Sequence, residues 1–153
     1  MIVRIVDFPE TKIAAIEHCG SPDAEHQTAR RLIEWRIANR VPPERHRTFG
    51  IHYTDPRTTP PDRHRVDFGV EFESEIPPNP HGVIAKVIPA GRCALARHLG
   101  SREFNTTAVE LFEVWLPQSG EQLRDFPMFF HYVNVGPSVK EHEMVTDVYL
   151  PLR

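Results

Sequence analysis

The chain has 153 residues, 40% hydrophobic and 25% charged, with a formal net charge of −3 from 18 Lys+Arg against 21 Asp+Glu. That length supports one domain with a sizeable core, and the charge balance excludes the basic face of a direct nucleic-acid binder. No apolar run reaches membrane-spanning length, and the start, MIVRIVDFPE, lacks the features of a secretion signal; a cytoplasmic protein that does not bind membranes is expected.

In chain order, Ile2 to Phe8 reads as a strand stopped by Pro9, and Lys12 to His18 as a second strand. Gly20–Ser21–Pro22 then opens a helix, with Ser21 as N-cap and Pro22 at the first helical position. Ala29, Leu32, Ile33, Arg36 and Ile37, with Trp35 beside them, follow helical spacing, so the helix runs from Pro22 to Asn39 and stops at Pro42–Pro43. Arg30, Arg31, Arg36 and Arg40 cluster there, but Glu25 and Glu34 among them make a solvated face. Thr48 to Thr54 is a third strand and Asp55 to Arg63 a proline-rich loop. Arg65 to Glu73 alternates, with Val66, Phe68, Val70 and Phe72 inward and Asp67, Glu71 and Glu73 on a wet side.

After a linker from Glu75 to His81, Gly82 to Pro89 and Cys93 to His98 are strands around a turn at Gly91–Arg92. Ser101 to Leu116 is a second helix, started by Ser101 and Phe104, with Val109, Leu111, Phe112 and Trp115 on its apolar side. Pro117, Ser119 and Gly120 end it. Phe126 to Val135, FPMFFHYVNV, is the densest aromatic run and reads as a buried strand, and Glu143 to Leu152 is the last strand. Cys19 and Cys93 have no metal-type spacing and read as buried small apolar residues. The nine histidines show no metal signature, so neither metal nor cofactor is expected.

The two halves match at a shift of 80 residues: Ala14 with Ala94, His18 with His98, Gly20 with Gly100, Ser21 with Ser101, Trp35 with Trp115 and Asp67 with Asp147. The order of elements repeats with them, which marks a duplicated unit. Two such halves are expected to pack about a pseudo-two-fold axis and leave a cleft there, a favoured place for a ligand. At the same shift His52 corresponds to Tyr132 and Gly50 to Phe130.

Four stretches carry a resemblance to a known family: Phe49–Pro56 (FGIHYTDP), Pro60–Val70 (PPDRHRVDFGV), Trp115–Gly120 (WLPQSG) and Pro127–Asn134. With them the chain resembles, over its whole length, the GyrI-like (gyrase-inhibitor-like) effector-binding domain. That domain also forms the drug-sensing part of several AraC-type and MerR-type bacterial regulators. The resemblance implies an α+β fold: two pseudo-symmetric strand-helix-strand-strand modules forming antiparallel sheets, with two helices and a central cleft. A single domain over 1–153 is expected, with internal repeats of about 1–75 and 82–153.

Family members bind bulky, often cationic, aromatic compounds; some associate with gyrase, and some hydrolyse electrophilic natural products. The family strand usually reads Glu-x-Tyr. Here Phe130 takes the position of the Glu, ahead of Tyr132, and moves the expectation from cation sensing to apolar recognition.

The expected ligand-binding residues are therefore Phe130, Tyr132, His52 and Trp115, against the simpler alternative that aromatic strand residues are core. The expected function is binding rather than catalysis: a stand-alone domain holding a hydrophobic aromatic small molecule, with DNA gyrase or a regulator protein as possible macromolecular partners. In the alternative hydrolase reading, Tyr132 or His52 does the acid–base work. Arg65 and Asp67 are expected to form an ion pair along one strand.

Overall fold

The period-two alternation of the sequence becomes eight strands among the described residues, each antiparallel to its neighbours within its unit, with a helical stretch laid on each set of four. The computed structural model describes residues 1–103 and 105–153, so Phe104 lies outside the described residues. It divides into two compact units: an inner unit, Thr11–Ile88, and a terminal unit that joins Met1–Glu10 to Pro89–Arg153.

The chain begins with β1 (Val3–Phe8) and β2 (Thr11–Cys19), then α1 (Glu25–Asn39), β3 (Thr48–His52), β4 (Arg65–Glu71) and β5 (Ile84–Ile88). It continues with β6 (Gly91–Leu99), α2 (Thr106–Glu110), a π-helical segment (Leu111–Trp115), α3 (Leu116–Ser119), β7 (Phe129–Tyr132) and β8 (Val145–Pro151). Strand order is β3-β4-β2-β5 in the inner unit and β1-β6-β8-β7 in the terminal unit. Each unit is thus a strand-helix-strand-strand module completed by one more strand. β5 pairs with β2 from Thr11↔Ile88 to Ala15↔Ile84, and β1 pairs with β6 from Val3↔Ala96 to Phe8↔Gly91. Relative to the 80-residue repeat, the units exchange their first strands.

Local signals explain the helix ends. Ser21 accepts a hydrogen bond from the Asp23 amide at 3.2 Å, and Pro22 sits in a 3-10 turn, Pro22–Ala24, that leads into α1. Arg40 ends α1 in the left-handed conformation, φ 56°, which lets its N–H reach the Arg36 and Ile37 carbonyls. The second helix begins later than expected, at Thr106, because Asn105 caps it by accepting from the Ala108 amide at 2.9 Å. It also runs on to Ser119 instead of stopping before Pro117. Pro117 has no N–H to give back along the helix and its ring crowds the preceding turn, where the wider π spacing lies.

Four expectations are corrected. Ile33 and Ile37 are 54% and 74% exposed, since the stripe that α1 buries is Thr28, Leu32, Trp35 and Arg36. Arg36 is not part of a solvated face: its Nε donates to the Val41 carbonyl and its Nη1 to Thr48 Oγ1, and burial lowers its pKa. Asp67 is fully buried, so the expected wet side of β4 is covered there. Cys19 is exposed while Cys93 is buried.

The inner core packs Ala14, Ile16 and Val70 against Leu32 and Trp35 of α1. The terminal core packs Ala94, Ala96, Val148 and Leu150 against Leu111 of the π segment. One device recurs in both units. His18 Nδ1 lies 2.7 Å from Thr28 Oγ1 and its Nε2 2.9 Å from the Ser21 carbonyl; His98 meets Thr107 Oγ1 and the Ser101 carbonyl at 3.0 Å each. A carbonyl only accepts, so Nε2 carries the proton, and in the neutral ring the threonine hydroxyl donates to Nδ1. Each histidine thereby ties a strand end to the start of a helix. Replacing either by alanine leaves a threonine hydroxyl and a carbonyl without that partner, and is expected to cost about 1–3 kcal/mol in urea unfolding.

Candidate ligand-binding site

β7 is shorter than the expected Phe126–Val135 strand, but its four residues alternate cleanly. Phe129 turns to one side and meets Phe8 edge-on at 4.9 Å and Tyr149 stacked at 4.9 Å. Phe130 and Tyr132 turn to the other, toward the helical stretch, and lie edge-to-face at 6.3 Å between ring centroids. There Phe130 joins the core around Leu111, and Tyr132, Trp115 and Leu116 pack against it half-buried. The structure therefore brings three of the four expected residues, Phe130, Tyr132 and Trp115, into one cluster of the terminal unit. Phe129 and Phe130 are core, while Tyr132 keeps accessible surface. Trp115 differs from its repeat counterpart Trp35, which is sealed in the inner core at 2% exposure.

Arg102 completes the cluster and was not expected from the sequence. Its guanidinium lies over the Tyr132 ring at 4.9 Å from the centroid, within cation–π range. Its Nη2 donates to the Asn134 carbonyl. Asn134 is itself tied to the start of β8, donating to the Glu143 carbonyl at 2.7 Å and accepting from the Val145 amide at 2.8 Å. Burial holds the Arg102 guanidinium below its ordinary pKa, against the pull of Tyr132. The repeat holds the only sequence signal: Arg102 stands where the first copy has Pro22.

The fourth residue, His52, belongs to the inner unit, where it pairs with Val66 of β4. Burial and the neighbouring His64 lower its pKa to about 4, so it is neutral at pH 7 and has no proton to give as an acid there. The His52 ring is expected to titrate near pH 4 in a two-dimensional NMR pH series, where an unperturbed histidine would titrate near pH 6.5. Its folded value lies below the unfolded one, so the stability this ring lends is present above about pH 6.5 and is lost as pH falls toward 4.

The inner unit carries a different cluster, on the side of its strands away from α1. Asp67 Oδ2 accepts from Lys86 Nζ at 2.6 Å and from the Tyr53 hydroxyl at 2.8 Å. Glu17 accepts from Lys86 at 3.0 Å and Arg65 at 3.1 Å, and Arg65 lies 4.1 Å over the Tyr53 ring. The expected Arg65–Asp67 pair is thus replaced: Arg65 reaches across the strands to Glu17, and Lys86 of β5 takes Asp67.

Burial pulls the Lys86 ammonium down, but its bonds to Asp67 and Glu17 outweigh this and raise it. The Lys86 hydrogen bond and charge, with help from Arg65, hold Glu17 low against burial. A lowered carboxylate lends stability above its ordinary range and loses it as pH falls through its folded value. The urea midpoint is therefore expected to fall below about pH 4, and Glu17→Gln to flatten that fall.

A depression of about 250 Å³ lies in the inner unit beside β5, lined by Lys12, Phe72, Glu75 and Val87 among others; none of the expected residues lines it. Among the described residues no group of three or more His, Cys, Asp or Glu is placed to hold a metal, and no helix is long and apolar enough to cross a membrane.

Comparison with known proteins agrees with this architecture. The profile of the GyrI-like small molecule binding domain matches residues 1–153. The Escherichia coli (strain K12) protein named "Probable transcriptional regulator YgiV" is 37% identical over 152 residues, 98% of this chain and 95% of its own. A "DNA gyrase inhibitor" of Erwinia billingiae is 27% identical over 156 residues, 99% of this chain and 97% of its own. Among solved structures, the EcmrR C-terminal domain superposes with a TM-score of 0.77 at 15% identity, covering 99% of this chain and 97% of that one. SAV2435, solved bound to tetraphenylphosphonium, gives 0.61 at 8% identity, covering 100% and 94%. The chain belongs to the GyrI-like small-molecule binding domain family.

Proposed function

We propose that the chain binds flat, hydrophobic aromatic compounds at the face of the terminal unit built by Phe130, Tyr132 and Trp115, and acts in sensing or sequestering them. The observation that carries this is the half-buried state of Tyr132 and Trp115 beside a buried Phe130. In the inner unit the matching tryptophan is sealed into the core and a glycine stands in place of Phe130. Aromatic side chains that keep accessible surface lose little conformational freedom when a ring packs on them. Family membership supports a small-molecule role, and the neighbour solved with tetraphenylphosphonium shows this kind of fold holding an aromatic compound.

The test is a thermal-shift and fluorescence titration with an uncharged flat probe, 2-naphthamide. Binding to the folded state raises the unfolding temperature with occupancy and changes the emission of Trp115. Tyr132→Ala is expected to weaken binding about tenfold, and Trp115→Phe to remove the fluorescence response. A Tyr132→Ala protein that binds as wild type refutes the assignment.

A further inference from the structure

The geometry points to aromatic carboxylates as the ligand class of this face, with the Arg102 guanidinium holding the acid group and Tyr132 and Phe130 the ring. It rests on the preceding reading, that the aromatic face of the terminal unit is the binding site, and adds the sign of the charge it selects.

Two observations lead there. The first is an uncompensated cation. Arg92 and Arg97 of the same unit each hold a carboxylate, Glu121 and Asp147. Among the described residues Arg102 pairs with no carboxylate: it contacts the Tyr132 ring and the Asn134 carbonyl. No acidic group contributes to its shifted pKa, whose causes are burial and Tyr132. A guanidinium stays charged at neutral pH, so this face presents a fixed positive charge that is partly withdrawn from water.

The second is a pair of unmet hydrogen-bond demands. Among the described residues Arg102 Nε is buried without a hydrogen-bond partner, and so is Thr146 Oγ1. Thr146 stands directly across from Tyr132 on β8 and is fully buried. Arg Nε can only donate and the threonine hydroxyl can donate. Buried polar groups are nearly always satisfied, and a ligand that satisfies these two brings acceptor oxygens. A carboxylate does so while neutralising the guanidinium, in a geometry matched to its fork.

The experiment compares three flat probes of one shape by calorimetry at low salt: 2-naphthoate, uncharged 2-naphthamide and cationic 2-naphthylmethylammonium. The wild-type protein is expected to bind naphthoate about tenfold or more tightly than naphthamide, and the ammonium most weakly. Raising the salt should erode the naphthoate affinity and spare that of naphthamide. Arg102→Gln should bring naphthoate and naphthamide to equal affinity, and Arg102→Lys should keep a preference for the anion.

If naphthamide binds and naphthoate binds no tighter, the site stands and the charge assignment is overturned; the same holds if the preference survives Arg102→Gln. If none of the three binds, the site itself is wrong and this inference falls with it. Should Arg102→Gln fail to fold, the salt series on the wild type decides, and a naphthoate affinity indifferent to salt overturns the proposal.

Discussion

A strand has two sides, and β7 spends its four residues on both. Phe129 is fully buried and sits in a three-ring group with Phe8 and Tyr149. Burial of one such ring contributes about 1.5–3 kcal/mol, and each good aromatic pair adds about 0.5–1.5 kcal/mol. A one-residue slip of β7 against β8 would forfeit all of it and turn Phe129 toward the helix. The residue that takes no part in the candidate site therefore fixes which residues do. With Phe129 held opposite Tyr149, Phe130 stands opposite Val148 and Tyr132 opposite Thr146, and both must face Leu111 and Trp115.

The duplication shows which parts of the design are scaffold. His18 and His98 make the same two contacts, to a threonine in the helix and to the carbonyl of a serine before it. Asp67 and Asp147 both hold a cation across the strands, Lys86 in one unit and Arg97 in the other. Around that common frame the chemistry has diverged. The inner unit carries Tyr53, Lys86 and Glu17 where the terminal unit has Val133, Val6 and Arg97. Among the described residues, the polar atoms of this Tyr53–Lys86–Glu17 network and its partners are mutually satisfied, apart from Asp67 Oδ1 and Arg65 Nε. The terminal unit has given up that network and put Phe130, Tyr132 and Arg102 where the inner unit has Gly50, His52 and Pro22.

The strands, the first helix and the repeat were legible because each rests on periodicity or on cap chemistry, which is local. So was the grouping of Phe130 with Tyr132, since parity along a strand needs no tertiary information. Side-chain partners chosen across strands were not legible. Arg65 and Asp67 are two residues apart, yet each finds its partner on another strand, because β2 and β5 bring Glu17 and Lys86 within reach. Arg36 looked like surface charge by composition; its burial depends on where the chain turns back after α1 to offer the Val41 carbonyl and Thr48. Arg102 was missed for the same reason: the strand it covers follows it by about thirty residues.

The Arg102 arrangement is also an energetic statement. Withdrawing a guanidinium from water without a counter-charge costs free energy, and a stack on tyrosine offsets only about 0.5–2 kcal/mol of it. A surface arginine could escape that cost by swinging into solvent. Arg102 is held back by the Asn134 carbonyl, and Asn134 is locked by two hydrogen bonds of its own, to the Glu143 carbonyl before β8 and from the Val145 amide at its start. The cation is thus oriented before any ligand arrives, and the ordering cost that a flexible arginine would add on binding is already met in folding. An acid group docking there gains the charge interaction and the release of the unmet donors together. A neutral ring gains only the aromatic contact.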